Sequence, residues 1–175
     1  VVTNLNDPIV SYDNRTNFLD KLIINPYSYR SCPCGRRGCV ESELTPSATM
    51  SKLRVVFSAE KTPFLYEAAR ASFENVNQDM ITMAYEKDDK AVKEILNGEL
   101  TLLAVLLNNL YFSTNPQKIV LHQFKFQNEK AFQKLKDAVT EIGGALVSSK
   151  IELSIIEDKH RFLSGCALAI REIFI

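Results

Sequence analysis

The sequence predicts an α/β fold interrupted by a long helical insertion. Near the C-terminal end, short apolar runs alternate with amphipathic helical stretches, a pattern of strand–helix–strand units that pair in parallel. Between residues 45 and 112, one helix start follows another with no strand pattern between them.

The chain opens on short strands at 1–5, 9–12 and 22–24, separated by Asn- and Asp-rich turns. Asn25-Pro26 begins a loop rich in Tyr, Ser and Arg. Thr45-Pro46 sets an N-cap before proline at the first helical position, which predicts a helix over 45–57. Thr62-Pro63 repeats the device for a helix over 62–75, and another is expected over 78–86. Asp88-Asp89 caps the longest helix, where Val92, Ile95, Leu96, Leu103, Leu106, Leu107 and Leu110 recur at helical spacing. Its apolar stripe widens until the last turns read as buried. Residues 118–121 form an apolar strand. Asn128 then caps a helix with Ala131, Leu135, Ala138 and Ile142 on one face, and Gly143 ends it. A strand over 151–156 and an amphipathic helix over 162–175 complete the chain. No internal repeat, low-complexity tract or interdomain linker interrupts it.

A length of 175 residues suits one domain, or at most one and a half. Hydrophobic content of 46% and charged content of 24% are ordinary for a soluble globular chain. The 21 basic and 21 acidic residues cancel, so nothing in the balance draws the chain to nucleic acid. Any DNA contact is expected from a domain outside this chain. The apolar run 102–107 falls far short of the roughly 20 residues a bilayer span needs. Val1-Val2-Thr3-Asn4 has neither the basic start nor the apolar stretch of a signal peptide. A cytoplasmic location is the expectation, where clustered cysteines more often mean metal than disulfide. The start without methionine reads as a fragment or a trimmed chain.

Cys32-Pro33-Cys34-Gly35-Arg36-Arg37-Gly38-Cys39-Val40-Glu41 concentrates the chemistry. Thiolates are preferred Zn²⁺ ligands, and a tetrahedral site needs them converging from a tight turn. Gly35 and Gly38 can take positive φ, which lets the backbone fold back so that three sulfurs face one point. Cys32, Cys34 and Cys39 are therefore candidate metal ligands, with a metal-free loop held by glycine turns as the alternative. Cys166 reads as a small hydrophobe on an apolar helix. His122 and His160, the only histidines, have no partner at metal spacing.

The C-x-C-G-x-x-G-C-x-E pattern resembles the signature of the ROK family (repressors, open reading frames and sugar kinases). The helical stretch 90–112, then Asn115-Pro116 and the apolar Lys118-Ile119-Val120-Leu121, resemble that family's long helix, Asn-Pro turn and nucleotide-lobe strand. Ser164-Gly165-Cys166-Ala167-Leu168-Ala169 is similar to its terminal Gly-Ala-Ala helix. The resemblance covers roughly residues 18–175, the C-terminal half of a typical member. It implies an actin-like ATPase, ribonuclease-H-like lobe with an inserted helical subdomain. Residues 1–41 would hold strands and the cysteine loop, 42–115 the helical subdomain and 116–175 the α/β end of the lobe.

The resemblance also implies roles. The family's fourth zinc ligand is a histidine in a Glu-x-Gly-His stretch. Phe18-Leu19-Asp20-Lys21 corresponds to it, with Lys21 at the histidine's place and Phe18 at the glutamate's. A lysine must deprotonate to ligate, so water, Asp20 or another residue would have to substitute. Glu41 would point into the sugar site and accept hydroxyl hydrogen bonds; its alternative is a solvated glutamate at a helix start. The family binds phosphate at glycine-rich turns, whereas here His122-Gln123-Phe124 follow the strand and Thr3-Asn4-Leu5-Asn6-Asp7 carries no glycine. The family's catalytic aspartate lies upstream of this chain. No catalytic residue, no ATP and no kinase activity are therefore expected. The resemblance points to the sensing and dimerisation part of a sugar-responsive regulator of the N-acetylglucosamine or xylose repressor type. Its partners would be a sugar or sugar-phosphate effector and a second copy, with no membrane. A sugar-kinase fragment and a fold kept only for dimerisation are the alternatives.

Overall fold

The structure is a computed structural model describing residues 2–4, 7–8, 19–121 and 129–154. The expected strand over 9–12, the helix over 162–175, the Asn128 cap, Phe18, His122, His160 and Cys166 lie outside the described residues. Two short strands, β1 (Val2–Asn4) and β2 (Asp7–Pro8), pair antiparallel at the start. Helices α1 (Val40–Leu44), α2 (Pro46–Val56), α3 (Pro63–Ala68), α4 (Gln78–Glu86) and α5 (Lys90–Thr114) follow. Strand β3 (Ile119–Leu121), helix α6 (Glu129–Ser149) and strand β4 (Ile151–Leu153) form a strand–helix–strand unit. As expected, β3 and β4 pair in parallel, Ile119 opposite Ile151 and Leu121 opposite Leu153. The described fold is thus mostly helical, with one small parallel sheet.

The core lies around α5. Val92, Leu96, Leu100, Ala104 and Leu107 are buried against Leu53 of α2, Leu65 of α3, Ile81 of α4 and Leu135 and Val139 of α6. Helix α5 is long and apolar enough to cross a membrane by length and composition. Glu99, buried halfway along it, is instead bonded by Thr49 and Lys52 of α2, the arrangement of a core helix. Asn115 ends α5 in the left-handed conformation, its N–H reaching the Tyr111 carbonyl at 2.8 Å ahead of Pro116.

Four expectations change. The residue 22–24 strand reduces to a single antiparallel bridge, Ile23 to Cys39, because its partner is the tight cysteine loop. The helix expected over 62–75 stops at Ala68, and Arg70 and Ala71 take left-handed φ of 51° and 59°. Tertiary packing outweighs helix propensity there, since the turn buries Phe73 edge-on to Phe57 and under the Arg54 guanidinium. Asp89 stands at the head of α5, yet its Oδ2 accepts the Leu65 N–H of α3 at 3.2 Å and so ties two helix starts together. Finally, α6 does not end at Gly143. It breaks at Gly144 (φ 82°, ψ 168°) and resumes to Ser149.

Three outcomes follow. Only glycine readily adopts the Gly144 conformation, so Gly144→Ala should lose about 1–3 kcal/mol in urea unfolding. Gly98→Ala, where an added Cβ meets nothing within 4 Å, should gain about 0.5–1 kcal/mol as a helix-interior replacement. Burial pushes the Asp89 carboxyl up, against the pull of the Leu65, Phe64 and Val92 N–H groups. A raised folded-state pKa means that stability present at low pH is lost as pH rises through it. The stability of wild type relative to Asp89→Asn should therefore fall between pH 4 and 7, and urea titrations at both values measure it.

Candidate metal centre

The cysteine loop hangs between two anchors. The Ile24 and Asn25 N–H groups both donate to the Gly38 carbonyl, at 2.9 and 3.1 Å, and Val40 N–H donates to the Leu22 carbonyl at 2.9 Å. Within the loop, Cys32 N–H reaches the Arg36 carbonyl at 2.8 Å and Gly35 N–H the Cys32 carbonyl at 2.9 Å. Gly35 and Gly38 take φ of 82° and 67°, as the sequence requires. Gly38 has a second reason to lack a side chain: a Cβ there would lie 1.8 Å from the Asn25 carbonyl oxygen.

These constraints bring the three cysteines together. Their sulfurs lie within 4.8 Å of one another, and Cys34 and Cys39 are 3.6 Å apart. With Zn–S bonds of about 2.3 Å, tetrahedral geometry separates neighbouring sulfurs by about 3.8 Å. The donor set therefore fits a thiolate-preferring ion and is compatible with Zn²⁺. Cys32 and Cys39 are buried, while Cys34 is exposed. The Arg36 side chain and backbone hold the Cys34 thiol down to about 6, so Cys34 offers the readiest thiolate. Burial pushes Cys39 up.

Lys21, at the expected histidine position, does not join the cluster. Its ammonium is bonded to the Glu41 carboxylate and lies 3.3 Å from Asp20, and these partners push its pKa up. Among the described residues, no histidine, aspartate or glutamate completes the group of three sulfurs. Glu41 Oε2 also accepts from Cys32 Sγ at 3.2 Å, so this carboxylate binds within its own loop. Arg36 closes the ring by donating to the Lys21 carbonyl at 3.0 Å. The ion pairs around Glu41 have no spacing signature, so the sequence reading did not contain them.

A second polar cluster escaped that reading. Lys52 Nζ donates to the Glu43 carbonyl at 2.7 Å and to Glu99 Oε1 at 3.0 Å, and lies 3.6 Å from Glu43 Oε2. Thr49 Oγ1 lies 2.9 Å from both Glu99 oxygens, and Ser28 bonds Glu43. One signal was available: Glu99 interrupts the apolar stripe of α5 at the spacing Val92, Leu96, Glu99, Leu103.

If zinc is bound, Cys34→Ala should release it and loosen residues 25–41, because binding and local folding share one free energy. Chelator at neutral pH should strip wild type, and Lys21→His should slow that loss. Elemental analysis of fresh protein reads both variants, and by the ligand count less than about 0.2 zinc per chain would mean that packing alone holds the loop.

A search of curated proteins found no match for the chain. The ROK family model matches residues 22–160, which include the cysteine loop, the helical body and the strand–helix–strand unit. The chain belongs to the ROK family.

Proposed function

We propose that this chain is the effector-sensing and dimerisation part of a ROK-type transcriptional regulator of sugar metabolism, cytoplasmic and without kinase activity. The lobe would be of the actin-like type, with residues 42–115 as its helical subdomain. One observation carries the reading. Strand β3 ends at Leu121, and the next residues are His122, Gln123 and Phe124 rather than the glycines that let bare backbone approach a phosphate. An effector would shift the population between two arrangements of the lobes and so respace paired DNA-binding units carried elsewhere. Cys32, Cys34 and Cys39 would hold Zn²⁺, and Glu41 would face the effector.

The Lys21–Glu41 ion pair favours a second reading. A carboxylate expected to accept sugar hydroxyls is bonded to an ammonium and a thiol, which suits a fold retained for dimerisation alone. Helices α2 and α3 and the turn that follows bury Leu53, Leu65 and Phe73 in the core but leave Val55 and Phe64 exposed.

The full-length protein should show no sugar-dependent ADP release above background, and even slow release would overturn the reading. Light scattering at micromolar concentration should give a dimer. A thermal-shift screen with hexoses, N-acetylhexosamines and pentoses separates the two readings. A shift with one class supports sensing, and no shift with any supports dimerisation alone.

A further inference from the structure

A hollow of about 370 Å³ opens beside the cysteine loop, on the side facing α2 and α5. Val55, Val56 and Ile95 wall it on one side, and Tyr27, Tyr29 and Arg30 stand at its rim. Tyr27 is 95% exposed, Tyr29 78% and Val55 78%, the three most exposed large apolar or aromatic side chains among the described residues. Tyrosine and arginine are the side chains that most often dominate binding energy at protein interfaces, especially around an apolar pocket.

The charge at this rim has one sign. Residues 25–39 contain Arg30, Arg36 and Arg37 and no acidic residue. Arg30 lines the hollow itself, one residue before the antiparallel bridge of Ser31 with Arg37. Arg30 stacks on the Tyr29 ring at 5.6 Å and has no carboxylate partner among the described residues. Glu43 at the floor is already bonded by Ser28 and Lys52, so it does not neutralise the rim.

From these observations we infer that the hollow and its rim are a docking surface for an acidic segment of a partner protein. An aliphatic side chain of that segment enters the hollow against Val55 and Ile95. A carboxylate beside it meets Arg30, and the tyrosine rings cover the anchor. The surface stands on α2 and the loop's outer face, apart from the three sulfurs and from Glu41, so it does not rest on the effector reading.

Fluorescence anisotropy on the full chain tests this. The probes are a labelled peptide with leucine between pairs of glutamates and its counterpart with lysine in place of glutamate. The acidic peptide should bind at micromolar concentration, weaken steeply with salt, and outbind the lysine peptide at least tenfold. Arg30→Glu should lower its affinity at least tenfold and reverse the preference toward the lysine peptide. Val55→Asp, on a different element and with its helicity checked by circular dichroism, should also lower affinity. No binding at millimolar peptide, equal binding of the two peptides, or no effect of either variant would overturn the inference. So would competition by a single-stranded oligonucleotide stronger than by the unlabelled peptide. Loss of the dimer in Val55→Asp would assign the surface to a second copy instead.

Discussion

The Lys52 ammonium joins the two halves of the described structure. It is held between the buried carboxylates of Glu43 on α1 and Glu99 on α5, and it also caps the Glu43 carbonyl. Removing two carboxylates and an ammonium from water costs several kcal/mol per ion, and only close pairing with full hydrogen bonding offsets it. Thr49 and Ser28 supply the remaining bonds. The pairing therefore fixes where α1 sits against the helical body. Since α1 begins directly after Cys39, it fixes where the cysteine loop sits too.

From that anchor the loop geometry follows by backbone chemistry. The Gly38 carbonyl takes two N–H groups from the strand-like segment before the loop, and the approach of Asn25 leaves no space for a side chain at Gly38. A hairpin closed this tightly turns its short sulfur-bearing side chains to one side. Metal is thus compatible with the loop without being required to shape its ends. A metal would act most directly on the stretch from Cys32 to Cys39, where hydrogen bonds alone leave Cys34 exposed, and through it on residues 25–41.

Lys21 changes the electrostatics of the same place. A neutral ligand at that position would leave the charge of a three-thiolate site unchanged. An ammonium instead organises the surrounding anions, drawing Glu41 and Asp20 toward itself and leaving Arg36 to the Cys34 thiolate. The outcome is a ring of alternating charges around the sulfurs. It sets the sugar-facing role proposed for Glu41 against its bonding to Lys21 and Cys32.

Much of this protein was legible along the chain because the information was local. Thr45-Pro46, Asn115-Pro116 and the glycines of the cysteine loop each dictate backbone angles through their own covalent structure, and the structure keeps them. The parallel pairing of β3 with β4 followed from the strand–helix–strand order, because a helical crossover returns the chain to the end of the sheet where the first strand began. What the sequence did not contain were outcomes of competition between distant groups. The helix through residues 70 and 71 broke because burying Phe73 under Arg54 and against Phe57 outweighed two more turns of helix. Asp89 capped the neighbouring helix because packing brought the Leu65 N–H within reach. Lys21 met Glu41, and Lys52 met Glu99, across 20 and 47 residues of chain. The sequence by itself determined the turns, the helix starts and the convergence of three thiols. Only tertiary structure decided which charges pair, because pairing energy depends on distance and burial that no linear spacing encodes.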